Sequence, residues 1–215
     1  MSMDGCLPHV LSLYLLKRSS LSGSIIQGLK GALSTDELST CAMGYFFFSY
    51  TDKAKQTIDG MLSTLVAQLC ERLPRLPTEM LTLYKKNVTQ LCRPVLLEAL
   101  LIMVKVFRIT YLVIDALDEV SSTERDELVN ILQSITTNPS FSKTNLIVTS
   151  RRESYLVEGL TDCMGRSICL TSRVVDSDIE SFVSQTVQNE SKFIKWPQDL
   201  KTLIVETLTS GAKGM

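Results

Sequence analysis

Residues 110–120 read TYLVIDALDEV. The run Tyr111, Leu112, Val113, Ile114 is apolar and β-prone, it stops at Asp115, and Asp118 and Glu119 follow at once. A short continuous apolar run of this kind marks a strand covered on both faces, as in a parallel sheet flanked by helices. Open parallel sheets gather their ligands outside the carboxyl ends of the strands. A carboxylate placed there, Asp115, suits a hard cation, since Mg²⁺ takes oxygen ligands and usually bridges to substrate phosphates. Asp118 and Glu119 then fall in the following turn, where a carboxylate can orient or deprotonate water. The other reading of that pair is a solvated acidic turn ahead of a helix, whose N-terminal dipole favours negative charge.

Outward from this strand, helical and strand-like periods alternate. MGYFFFSY (43–50) is a continuous aromatic run, expected as a strand buried on both faces. Ile58, Met61, Leu62, Leu65, Val66 and Leu69 recur at helical spacing, so a helix is expected from about residue 54 to 72, before Pro74. Further helical stretches fill 78–106. Ser121 followed by Glu124 has the form of a capping box, opening a helix that Asn138-Pro139 ends. NLIVTSR (145–151) and the weaker RSICL are the next strands. Asp176 is expected to cap a helix with Ile179, Phe182 and Val183 inward, and Trp196-Pro197 to open a last one. Val10–Leu16 is the candidate first strand and LSGSIIQGLKGAL (21–33) the candidate first helix. This alternation predicts an α/β fold, a three-layer parallel sheet with helices on both faces and the start of a C-terminal helical subdomain.

Bulk properties exclude several functions. The chain has 215 residues, 45% hydrophobic and 21% charged, with a formal net charge of -1. That balance gives no general electrostatic reason to bind nucleic acid or an anionic membrane. Six cysteines are scattered without a CxxC pair beside a single histidine, His9, so zinc-ligand spacing is absent and a reducing, cytoplasmic setting is expected. PVLLEALLIMVKVF, from Pro94, is too short to span a bilayer and carries Glu98 and Lys105. Phe46, Phe47 and Phe48 are consecutive rather than interleaved with basic residues, which fits a core better than a base-stacking platform.

The string YLVIDALDE resembles the Walker B motif of the NACHT family of signal-transduction (STAND) P-loop NTPases, in the fungal branch related to the N-terminal domain of nephrocystin-3-like proteins. Other segments agree in order: YFFFSYTDKAKQT as the second strand and its turn, NLIVTSRRE as the sensor strand, DSDIESFV as a late helix, and WPQDLKTLIVETLTSGAKGM as the start of the helical region. The resemblance implies an α/β core over 21–190 and a helical subdomain begun at 191–215. It also implies Mg²⁺ and ATP (or GTP) as cofactors, Asp115 as the metal-organising aspartate, Asp118 and Glu119 as the catalytic acidic pair, and Arg151 as the reader of the terminal phosphate. Protein partners or self-oligomerisation belong to the family. Its fungal members often carry ankyrin or WD repeats and are linked to non-self recognition and programmed cell death.

The same resemblance places a GxxxxGK[ST] loop just before LSGSIIQGL. Its glycines let backbone N–H groups wrap the phosphates while the lysine neutralises them. Residues 1–20 diverge there: Lys17 falls at the second glycine, Arg18 at the lysine, and Ser19 at the magnesium-ligating hydroxyl. Bulky side chains replace the glycines, and arginine is no compact point charge. The expectation is weak nucleotide binding or none, hence a switch with impaired hydrolysis. Two alternatives remain: a nucleotide-free interaction module of the same shape, and a metal-dependent hydrolase using Asp115, Asp118 and Glu119.

Overall fold

The computed structural model describes residues 10–14, 20–32, 40–86, 92–151, 153–161, 166–169 and 172–212. They divide into a unit over Met1–Ile168 and another over Cys169–Met215. In the first, a five-stranded sheet runs in the order β2-β3-β4-β1-β5. Its strands are β1 Val10–Tyr14, β2 Cys41–Phe47, β3 Ile109–Asp115, β4 Thr144–Ser150 and β5 Arg166–Cys169. Pairing is parallel between β2 and β3, β3 and β4, and β1 and β4.

Among the described residues, the α-helices of this unit include α1 Ser20–Ala32, α2 Ile58–Glu71, α3 Thr78–Lys86, α4 Arg93–Val106, α5 Arg125–Thr137 and α6 Ser154–Leu160. The alternation of side chains along a strand decides which of them each face meets. Leu112 and Ile114 join Phe46, Leu146 and Val148 in one cluster with Leu65 of α2, Leu100 of α4 and Leu132 of α5. Val113 and Ile147 point the other way, onto Ile26 of α1. These are the three expected layers, with β3 buried on both sides.

Two local expectations change. β2 lies at the sheet edge, so Phe46 and Phe48 are core while Tyr45 and Phe47 stay half-buried on the α1 side. The Ser121 capping box does not form: Ser121 makes no side-chain cap bond, a 3-10 turn covers Ser122–Glu124, and α5 begins only at Arg125. Glu124 instead sends its carboxylate to the start of α2.

The second unit holds α7 Ser172–Asn189 and α8 Gln198–Ala212. This unit spans Cys169–Met215. Because α7 starts at Ser172, Asp176 lies within the helix rather than at its cap. Phe182, expected inward, is 70% exposed. Pro197 does precede α8, and Trp196 packs edge-to-face on Phe193 at 4.8 Å. Among the described residues no helix is long and apolar enough to cross a membrane.

Candidate functional site

Asp115 closes β3 at the carboxyl edge and is only 5% exposed. A carboxyl group so buried needs hydrogen-bond partners, and among the described residues two hydroxyls supply them. Ser22 Oγ donates to Asp115 Oδ1 at 2.6 Å, and Thr149 Oγ1 donates to the same oxygen. Ser22 is on the first turn of α1, and Thr149 stands next to last on β4, the strand paired with β3. The sequence expectation placed the hydroxyl at Ser19. Ser19 and Arg18 lie outside the described residues; among the described residues, the serine that reaches the aspartate is Ser22.

That contact sets a register. Counting back from Ser22 along an eight-residue GxxxxGK[ST] pattern puts Leu21 at the lysine, Ser20 at the second glycine and Leu15 at the first. The pattern then opens directly after β1, which ends at Tyr14, and α1 starts at Ser20, where the second glycine would stand. In this register the sequence carries neither the glycines nor the lysine of the pattern.

After Asp115 the chain turns through Ala116, at φ 57 and ψ 52 in the left-handed region. Ala116 donates its N–H to Thr149 Oγ1 at 3.1 Å. The turn buries Leu117 and directs Asp118 to the end of β4. Asp118 Oδ1 accepts the Arg151 N–H at 3.0 Å and the Ser150 hydroxyl at 3.3 Å, and Oδ2 pairs with Arg151 Nε at 3.5 Å. The guanidinium of Arg151 is 61% exposed, so this pair contributes little energy of its own.

Glu119 turns away, to the turn that follows β2, where Oε2 accepts the Tyr50 N–H at 2.9 Å. A cavity of about 620 Å³ opens beside these acids, lined by Tyr50, Gln56, Asp118, Glu119, Ser121 and Arg151 among others. Tyr155 Oη donates to Leu117 O at 3.2 Å. Burial pushes the Tyr155 phenol up to about 12, with Asp118 and Glu153 adding to the shift and Arg125 opposing it.

The structure thus brings Asp118 and Arg151 together, sets Asp115 with Ser22 and Thr149, and aims Glu119 at the turn after β2. Sequence reasoning missed Ser22 and Thr149. Thr149 had a signal, being a polar residue near the end of the apolar run NLIV. The donor set of Asp115 and Ser22 is all oxygen, fitting a hard cation such as Mg²⁺.

Residues 18–151 match the family model for the N-terminal region of nephrocystin 3. The Walker-type ATPase PABY2304 of Pyrococcus abyssi is similar over 93% of this chain and 58% of its own length, with a TM-score of 0.51 and 13% identity. The likeness is one of fold, and this chain spans less than two thirds of that protein. Drosophila ORC bound to DNA is similar over 96% of this chain and 49% of its own, with a TM-score of 0.39 and 11% identity. Drosophila ORC bound to AT-rich DNA and Cdc6 covers 98% and 77%, with a TM-score of 0.43 and 13% identity. No curated protein matches the sequence.

Proposed function

Because the chain belongs to the nephrocystin 3 N-terminal family, we propose that it is the core of a NACHT-type (STAND) nucleotide-dependent signalling switch, with its cation half retained and its triphosphate half weakened. The observation that carries this reading is the 2.6 Å bond from Ser22 to Asp115, with Leu21 immediately before it. Asp115 and Ser22 are the residues that hold Mg²⁺. The ion, when bound, supplies positive charge to phosphate oxygens.

Every other step belongs to the chain's own side chains. Ser20 opens α1, whose N-terminal N–H groups face an anion favourably. Arg151 reads a terminal phosphate by leaving Asp118, an exchange made easy by its exposure. Glu119 orients water with the carboxylate whose Oε2 accepts the Tyr50 N–H. Without a lysine at 21, triphosphate binding is weak and the switch turns over slowly or not at all.

A nucleotide-free interaction module is the second reading, favoured by Leu21 alone. The metal-dependent hydrolase has no support among the described residues, where no group of three or more His, Cys, Asp or Glu side chains converges as metal ligands.

The test is a titration of a fluorescent ATP analogue with Mg²⁺ into the wild-type chain and into a variant with the pattern restored, Leu15→Gly with Ser20→Gly and Leu21→Lys. Gain of binding in the variant, at least about tenfold, supports a weakened Walker site. Equal failure of both supports the nucleotide-free module. Micromolar binding by the wild type overturns the claim that the triphosphate half is weakened.

A further inference from the structure

Thr149 is 2% exposed, and its hydroxyl does two things at once. Its proton goes to Asp115 Oδ1, and its oxygen accepts the Ala116 N–H at 3.1 Å. A hydroxyl carries one donor and two acceptor sites, so it can serve both groups at once. Both groups need the service. Asp115 is a buried carboxylate, and Ala116 leaves the strand in a left-handed turn that is unfavourable for a residue with a β-carbon.

The two bonds constrain the cation site jointly. With Thr149 and Ser22 both on Oδ1, Oδ2 is the oxygen of Asp115 that neither hydroxyl engages. The Ala116 turn sets the peptide that follows, and with it the direction of Asp118 toward Ser150 and Arg151. One β4 side chain therefore determines the pose of Asp115 and the course of the chain beyond it.

We propose that Thr149 is the positioning residue of the candidate cation site, fixing Asp115 by Oδ1 and the Ala116 turn together so that Oδ2 is presented to a hard divalent cation. The proposal rests on the reading of Asp115 and Ser22 as a cation site. It adds a residue that touches neither cation nor phosphate.

Thr149→Val keeps the shape and removes the hydroxyl, while Thr149→Ser keeps the hydroxyl. Each is compared with the wild type and Asp115→Asn by hydrogen exchange of the Ala116 amide without metal, and by titration with Mn²⁺ alone followed by electron paramagnetic resonance. The Ala116 amide is expected to be slow in the wild type and Thr149→Ser and fast in Thr149→Val. Mn²⁺ affinity is expected to fall ~10–100-fold in Thr149→Val and to stay within about twofold in Thr149→Ser, the range usual for partners that orient a metal ligand. Unchanged Mn²⁺ affinity or an equally slow Ala116 amide in Thr149→Val overturns the proposal. If the wild type binds Mn²⁺ no better than Asp115→Asn while the amide pattern holds, the cation site itself fails, and Thr149 is left as a fastener of the fold.

Discussion

The carboxylate of Glu124 accepts the backbone N–H of Ile58 at 2.7 Å, so the first turn of α2 is capped from a residue 66 positions away. Glu124 also pairs through Oε1 with Arg93 Nη2. The same guanidinium reaches Asp59 and Glu127, each at 2.7 Å. One arginine at the start of α4 thereby ties α2 to the segment that follows the acidic turn. Arg93 and Glu124 are less than a fifth exposed.

Loss of that cap and pair has a calculable cost. Glu124→Ala leaves a helix N–H and part of a guanidinium without partners, and the expected loss is about 2–4 kcal/mol. Glu124→Gln keeps an acceptor for Ile58 and is expected to lose about half as much. Urea unfolding of both variants measures the difference. Equal stability of Glu124→Ala and wild type would mean that the network carries no energy.

Ala116 offers a contrast of opposed effects. Glycine relieves about 1 kcal/mol of left-handed strain and adds a similar entropy to the unfolded chain, so Ala116→Gly is expected to be near neutral. Ala116→Val adds β-branching to the same backbone and is expected to cost about 2 kcal/mol. Thermal melts of the pair separate backbone strain from side-chain burial.

Gly60 stands in the first turn of α2, where alanine would ordinarily be preferred by about 1 kcal/mol. Here a β-carbon would meet Ala54 O at 2.6 Å and Thr57 Oγ1 at 2.9 Å. Thr57 is the N-cap, bonded to the Gly60 N–H at 3.1 Å. Gly60→Ala is therefore expected to destabilise by about 1–3 kcal/mol, the clash and the lost cap outweighing propensity. Denaturant midpoints check the sign.

Tyr155 makes the alkaline limb of stability predictable. Its pKa rises from 10 when free to about 12 in the fold, so the folded chain holds the phenolic proton more tightly. The associated stability is complete below pH 10 and is lost as pH rises toward 12. Ultraviolet titration should show a late phenolic ionisation that disappears in Tyr155→Phe. A Tyr155→Phe variant with the same alkaline fall would assign it elsewhere.

The positions of the elements were legible because their signals are local. The apolar run before Asp115, the helical stripe from Ile58 to Leu69 and Asn138-Pro139 each speak within a few residues of themselves. Glu124 shows the limit of that reasoning. Its spacing from Ser121 predicts a cap on its own helix, yet the stronger pull comes from Ile58 and Arg93, brought near only when α2 and α4 pack together. Phe182 fails for a related reason, since periodicity picks an apolar face without saying what covers it.

By itself, the sequence pointed to a parallel α/β sheet and placed Asp115 at a strand end. Tertiary structure alone decided which hydroxyls meet that aspartate. Ser22 and Thr149 lie 93 and 34 residues from Asp115 in the chain. The physical reason is register: parallel pairing sets Ile114 beside Val148 and Leu13 beside Thr149, so the ends of β3, β4 and β1 converge at one edge. No local period in the sequence encodes which residues of three separate strands stand side by side there.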